Sequence, residues 1–211
     1  MIAKWSAAEL NIVETLTRKV KLLSSEQLLD KCLSAFGSFE LVQLALRRLR
    51  EANLLHQAVV NAHPRVNVTA PLAMWSPDDP KPDFMAVAKH AKARWNQAVC
   101  PTQVYWASAR AANLFGSSSI RSPSIAQRDH DLLLGEVYVF FCTHRTSSVH
   151  CWVSEAAWPK SGPGTKNADA FLCSDDGRTS CAIESAGRSR REQMECFHQH
   201  CAAQNLPYEL W

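Results

Sequence analysis

The chain has 211 residues, 46% of them apolar and 20% charged, the balance of a globular protein with one large core or two small ones. Its net charge of +3 excludes an overall basic field, so any contact with nucleic acid has to come from local clusters of Lys and Arg. No apolar run approaches a membrane span, and the opening residues, Lys4 and Glu9 among them, lack the apolar core of a signal peptide. The expectation is a cytoplasmic protein with no membrane contact. Eight cysteines without a C-x-x-C pair are expected to be free thiols there.

In chain order, Leu10, Val13, Leu16 and Val20 recur at helical spacing over 7–21, with Arg18, Lys19 and Lys21 at the basic end. Ser24-Ser25-Glu26-Gln27 opens a second helix with an N-cap serine; its apolar stripe is Leu28, Leu29, Cys32, Leu33 and Phe36, and Gly37 stops it. Ser38 opens a third helix with Leu41, Leu44, Ala45 and Leu49 as its expected core face and Gln43, Arg47, Arg48 and Arg50 on the other. Two alternating runs, 54–60 and 65–69, follow and are expected to pair as a hairpin. Three short helices and a hairpin are the order of a winged helix-turn-helix, in which the third helix enters the major groove. Gln43, Arg47, Arg48 and Arg50 are then the candidate contacts to double-stranded DNA, with adenine for Gln and guanine or phosphate for Arg.

The proline-punctuated stretch 76–83 is the expected linker, dividing an N-terminal domain (1–75) from a second one (84–211). A helix is expected from Phe84 to Trp95, broken before Pro101, and another over 104–115, ended by Gly116. A helix carrying His130 and Asp131 leads into a β-prone run, 136–142, expected as a strand with 149–153 as its neighbour. Phe171-Leu172 and Cys181-Ala-Ile183 form a hairpin around Asp175-Asp176-Gly177-Arg178. Residues 190–203 are helical, and 206–211 close the chain as a short strand, placed at an edge by Pro207.

Across that hairpin Asp169 and Glu184 are positioned to meet, each on its own strand, with Glu136 as a candidate third acid. Paired carboxylates at a sheet edge hold a divalent cation that activates water in phosphodiester hydrolysis. This is the layout of restriction-endonuclease-like enzymes, an Asp followed by Glu-x-Lys. Ala186 stands at the lysine position, and Arg188, two residues on, stays protonated and so makes a poor general base. Enzymatic activity is left open on these residues. The catalytic and metal-ligating candidates are Asp169, Glu184 and Glu136, and Mg2+ is a cofactor only if hydrolysis is the function. Arg188, Arg190 and Arg191 form a second cationic cluster that is a candidate for DNA contact.

The early helices, His130-Asp131-Leu-Leu-Leu-Gly-Glu136-Val, Ala168-Asp169-Ala-Phe, and Ala182-Ile-Glu184 before an Arg-rich helix together resemble the replication-relaxation family of bacteria and their mobile elements. The family's proline before the first acid is Ala168 here, and its second-strand acid-x-acid is Glu184-Ser-Ala. The resemblance implies an α/β (α+β) protein, a winged helix joined to a degenerate restriction-endonuclease-like domain. It also implies a DNA-binding accessory role in plasmid or mobile-element replication, mobilisation or transcriptional control, with a protein partner in such a complex. A metal-dependent DNA nuclease and a winged-helix protein-interaction module are the alternatives.

Overall fold

The computed structural model describes residues 5–117, 122–158, 167–187 and 191–211. Its elements are mixed: seven α-helices and two sheets among the described residues. Helix α1 (Ala7–Glu14) is fastened by a reciprocal cap, in which Ser6 Oγ accepts from the Glu9 amide and the Glu9 carboxylate accepts from the Ser6 amide. It continues as a π-helical turn, Thr15–Lys19. Strand β1 (Leu23–Ser24) runs directly into α2 (Ser25–Phe36), capped in the same way by Ser24 and Gln27. Gly37, at φ +81°, takes the left-handed conformation that stops α2, and Ser38 caps α3 (Phe39–Glu51). The α2–α3 turn is therefore as tight as the sequence implied.

Strand β2 (Leu55–Ala62) does not pair with 65–69. Its partner is β4 (Cys100–Ala107), antiparallel from Leu55↔Ala107 to Ala62↔Cys100. Arg65 is instead drawn away into ion pairs with Glu136 and Asp30, and its neighbours form no strand. With β1 on the other side of β4, the first sheet has the order β1-β4-β2. The helix expected over 104–115 is thus two elements, β4 and then α5 (Ala109–Phe115). They divide at Ser108, whose hydroxyl accepts from the Ala111 amide. Val104-Tyr-Trp suits a pleated surface and the alanines after Ser108 suit a helix, so the boundary is a change of propensity inside one apolar run.

The second sheet contains β3 (Ala73–Trp75), β5 (Trp152–Ser154), β6 (Ala170–Cys173), β7 (Thr179–Glu184) and β8 (Tyr208–Leu210), in the order β3-β8-β7-β6-β5. Strands β5, β6 and β7 are an antiparallel meander, and β8, reached through α7 (Arg191–Ala203), runs parallel to β7. The β6–β7 turn passes through Gly177 at φ +79°, as the Asp-Asp-Gly sequence requires. Strand β8 is not at an edge, because β3 covers its far side. Pro207 precedes the strand, where its missing N–H costs nothing and its carbonyl accepts from Ala182 N at 2.9 Å. Sheet pairings cross residues 76–83 in both directions: β3, before them, joins the second sheet, and β4, after them, completes the first.

Residues 136–142, expected as a strand, are the second half of helix α6 (Arg128–His144). Burial explains the misreading. Leu133, Leu134, Val137, Tyr138, Val139 and Phe141 are all buried, so the helix is apolar on most of its circumference and shows no period. Gly135 lets it approach β1 closely: a Cβ there would lie 2.8 Å from Leu23 Cδ2 and 2.9 Å from the Leu22 carbonyl oxygen.

Two apolar clusters sit on opposite faces of the second sheet, as the period of two dictates. Ala170 and Ile183, paired in register, join α6 and the N-terminal helices in one cluster. Phe171 and Ala182 join the other, formed by Val87 of α4 (Phe84–Ala93) and Met194 of α7. Helix α3 is rotated from the expected core face. Val42, Ala45, Leu46 and Leu49 are buried, whereas Leu41 and Leu44 are 49% and 47% exposed.

Candidate nucleic-acid interface and acid pair

Helix α3 presents three faces. The core face packs on α2 and β2. Gln43, Arg47 and Arg50, spaced i, i+4, i+7, share a second face, where both arginines are exposed and neither makes an ion pair among the described residues. Arg48 lies on the third face. Its Nη1 sits 2.9 Å from a Glu9 carboxylate oxygen, and its guanidinium lies 5.5 Å from the Trp5 ring centroid. Three of the four expected residues thus share one face, and Arg48 is tied to α1. Arg191, at the start of α7, pairs with Glu195 at 3.1 Å. Arg188 and Arg190 lie outside the described residues.

Asp169 and Glu184 lie at one end of the β6–β7 hairpin. Ala170 is opposite Ile183 in the β6–β7 ladder, so Asp169 and Glu184 face each other one step beyond it. Both are buried, at 3% and 7% exposure. The Asp169 carboxylate is already occupied: Oδ2 accepts from the Ser185 amide (2.8 Å), the Ser185 hydroxyl (2.8 Å) and His130 Nε2 (3.0 Å). The other nitrogen of His130 lies 3.3 Å from Asp131 Oδ1. Burial disfavours a charged imidazole here, but hydrogen bonds to Asp131 and Asp169 outweigh it and raise the His130 pKa to about 10. An imidazolium delivered by α6 therefore lies against the acid pair. Ala186 is fully buried, and its amide donates to the Trp211 carbonyl.

Glu136 does not join the pair. Its carboxylate receives Arg65 Nε and Nη2, each at 2.7 Å, and Gln27 Nε2 at 3.0 Å. The same guanidinium reaches Asp30 through Nη1. The expected strand would have carried Glu136 to the sheet end; the helix instead turns it toward α2. Among the described residues no three His, Cys, Asp or Glu side chains are grouped to hold a metal ion. All eight cysteines are free thiols, and burial pushes Cys181 and Cys201 up to about 12, which leaves them unreactive.

Three participants escaped sequence reasoning. Ser185 follows Glu184 directly, and its role needs the hairpin register. Arg65 was read as part of a strand. His130 was visible as a motif residue, and its signal was the His-Asp pair at the start of a helix preceding the acid hairpin. Comparison of the chain with protein-family models, curated proteins and solved structures finds no match.

Proposed function

We propose that the chain is a double-stranded-DNA-binding accessory protein that reads DNA through α3. The observation that carries this reading is the Gln43–Arg47–Arg50 face: two exposed cations without carboxylate partners, on the second helix of a tightly turned pair. The element order α1-β1-α2-α3-β2-β4, with β2 and β4 antiparallel, supports a winged helix-turn-helix. In this version the hairpin connection is the long segment between β2 and β4, which contributes β3 to the other sheet and α4 to the apolar cluster on its face. The order α6-β5-β6-β7-α7-β8, with β8 parallel to β7, supports a restriction-endonuclease-like core. The replication-relaxation resemblance supplies the context: replication, mobilisation or transcriptional control of a plasmid or mobile element, with a protein partner.

Within that core the acid pair serves the fold and not hydrolysis. A hydrolytic site needs open carboxylates and a basic lysine, whereas Asp169 is held by three donors and Ala186 is buried. The test is fluorescence anisotropy with a labelled duplex between 50 and 200 mM salt, wild type against Arg47→Ala/Arg50→Ala. Binding should weaken with salt, and the double variant should lower the log–log slope by about 1.8, roughly 0.9 for each lost phosphate contact. Binding that is indifferent to salt, or a double variant that binds as the wild type does, refutes the proposal.

A further inference from the structure

Four strands form the edges of the two sheets. Three of them are short: β1 has two residues, and β3 and β5 have three each. Strand β2 has eight and ends the first sheet on the side away from β1. Short length, charged side chains, proline and bulges are what keep an exposed edge from pairing with another chain. Strand β2 has none of these. Leu55-His-Gln-Ala-Val-Val-Asn-Ala62 contains no Lys, Arg, Asp, Glu or Pro, and its register against β4 runs without a shift. Between Leu55 and Ala62, which are buried, every residue is exposed or half-buried, and Val59 is 66% exposed.

The ladder fixes which backbone groups face outward. In an antiparallel pair, hydrogen-bonded and non-hydrogen-bonded positions alternate. Asn61 is opposite Pro101, which has no N–H, so that position is non-hydrogen-bonded. At the other end the Ser108 amide donates to the Leu54 carbonyl at 2.9 Å, which makes Leu54 a hydrogen-bonded position and gives the same phase. The amides and carbonyls of Leu55, Gln57, Val59 and Asn61 therefore point away from β4. Arg128 Nη1 donates to the Asn61 carbonyl at 2.6 Å, on the side this phase leaves open. Leu55 is buried. Between them, the outward groups of Gln57 and Val59 meet no hydrogen-bond partner among the described residues.

We infer that β2 is the contact between two copies of this chain, whose β2 edges pair antiparallel across a two-fold axis at Ala58. That axis sets Gln57 against the second copy's Val59, and Val59 against its Gln57, for four backbone hydrogen bonds. The first sheet then continues through both copies as six strands, β1-β4-β2-β2-β4-β1. The strand suits its own copy. Ala58 meets Ala58 at the axis, a small residue at a non-hydrogen-bonded pair, where strands approach most closely. No like charges meet, because the strand carries none of the four charged residue types. Exposed Val59 lies beside Gln57, and His56, whose ring is 5.4 Å from that of Trp106, lies beside Val60 on the other face. A peptide from another protein would pair along a longer edge. Here Arg128 closes the edge at Asn61 and burial closes it at Leu55, which leaves two open residues related to each other by the axis.

Sedimentation equilibrium of the chain without DNA tests the pairing. The contact is small, so association should appear over roughly 10–500 µM, where the average mass rises from 23.5 kDa toward twice that value. Val59→Pro removes an outward N–H and none from the β4 ladder, so it should weaken association at least about tenfold and lower the melting temperature less than Val60→Pro, which removes a ladder bond to β4. In Ala58→Cys, mild oxidation should join two copies through position 58, since opposed Cα atoms of a non-hydrogen-bonded pair lie about 4.5 Å apart. Peptide mass spectrometry identifies the linked residues, with the oxidised wild type as the control for the native cysteines. A wild type that stays monomeric over the whole range overturns the proposal, even if it binds an extended peptide along β2. Association unchanged in Val59→Pro, equal destabilisation by the two prolines, or cross-links that omit position 58 overturn it as well. No measurement here contains DNA, so the outcome is separate from that of the anisotropy test.

Discussion

Arg65→Ala separates a structural Glu136 from a catalytic one. The substitution leaves a carboxylate 6% exposed with Gln27 Nε2 as its one remaining side-chain donor, after losing two bonds of 2.7 Å. Breaking a fully buried pair from one side costs about 3–5 kcal/mol. The Arg65 side chain is 27% exposed, so water re-enters and reduces the cost to roughly 2–3 kcal/mol. The Asp30 arm adds little, since that side chain is 51% exposed. For a chain of this size, about 2–4 °C per kcal/mol places the fall in melting temperature at about 5–10 °C. The Arg65→Leu/Glu136→Leu double variant should recover most of it, because no charge is then stranded in the interior. Urea and thermal unfolding followed by circular dichroism measure both. An Arg65→Ala variant within about 0.5 kcal/mol of wild type would show that the pair does not hold α6 against α2, and would return Glu136 to the list of functional acids.

His130 gives the fold a pH dependence of definite sign. Its pKa rises from about 6.5 in the unfolded chain to about 10 in the fold, so its contribution is fully present below about 6.5 and is lost as pH rises through 10. The urea midpoint should fall more between pH 6.5 and 10 in the wild type than in His130→Gln; equal falls would refute the charged pairing. Supercoiled plasmid incubated with magnesium should be nicked no faster by the wild type than by Glu184→Ala. Nicking by the wild type that disappears in Glu184→Ala would instead establish the acid pair as a nuclease site.

What the sequence disclosed followed from local rules. Gly37 and Ser38 mark helix ends because caps and left-handed turns need particular residues, and both sit where they were read; the structure chooses Ser24 from the Ser24-Ser25 pair. The hairpin register was legible because a Gly-containing turn and two apolar strand cores leave little freedom, and it brought Asp169 opposite Glu184. Long-range choices were not legible. Residues 136–142 are β-prone in isolation, yet a helix buried on most sides satisfies the same composition. The partner of β2 lies 38 residues beyond its end, a pairing that no local pattern encodes. On α3, Leu41 and Leu44 were assigned to the core by hydrophobicity, whereas the rotation of the helix is set by Val42, Leu46 and Leu49 together.

The distribution of charge partners argues for binding over chemistry. Of the six buried acids among the described residues, Glu9, Glu136, Asp169 and Glu209 each face a cation from another part of the fold: Arg48, Arg65, His130 and Arg145. Each pairing joins separate elements, so these carboxylates fasten the structure. Among the described residues, Arg47 and Arg50 on α3 have no carboxylate partner and stand exposed, as do Lys89 and Lys92 on α4. A hydrolase of this layout would need the reverse, acids open at the sheet end and a basic lysine among them. With a net charge of only +3, the proposed recognition of a phosphate backbone has to rest on local cations such as Arg47 and Arg50.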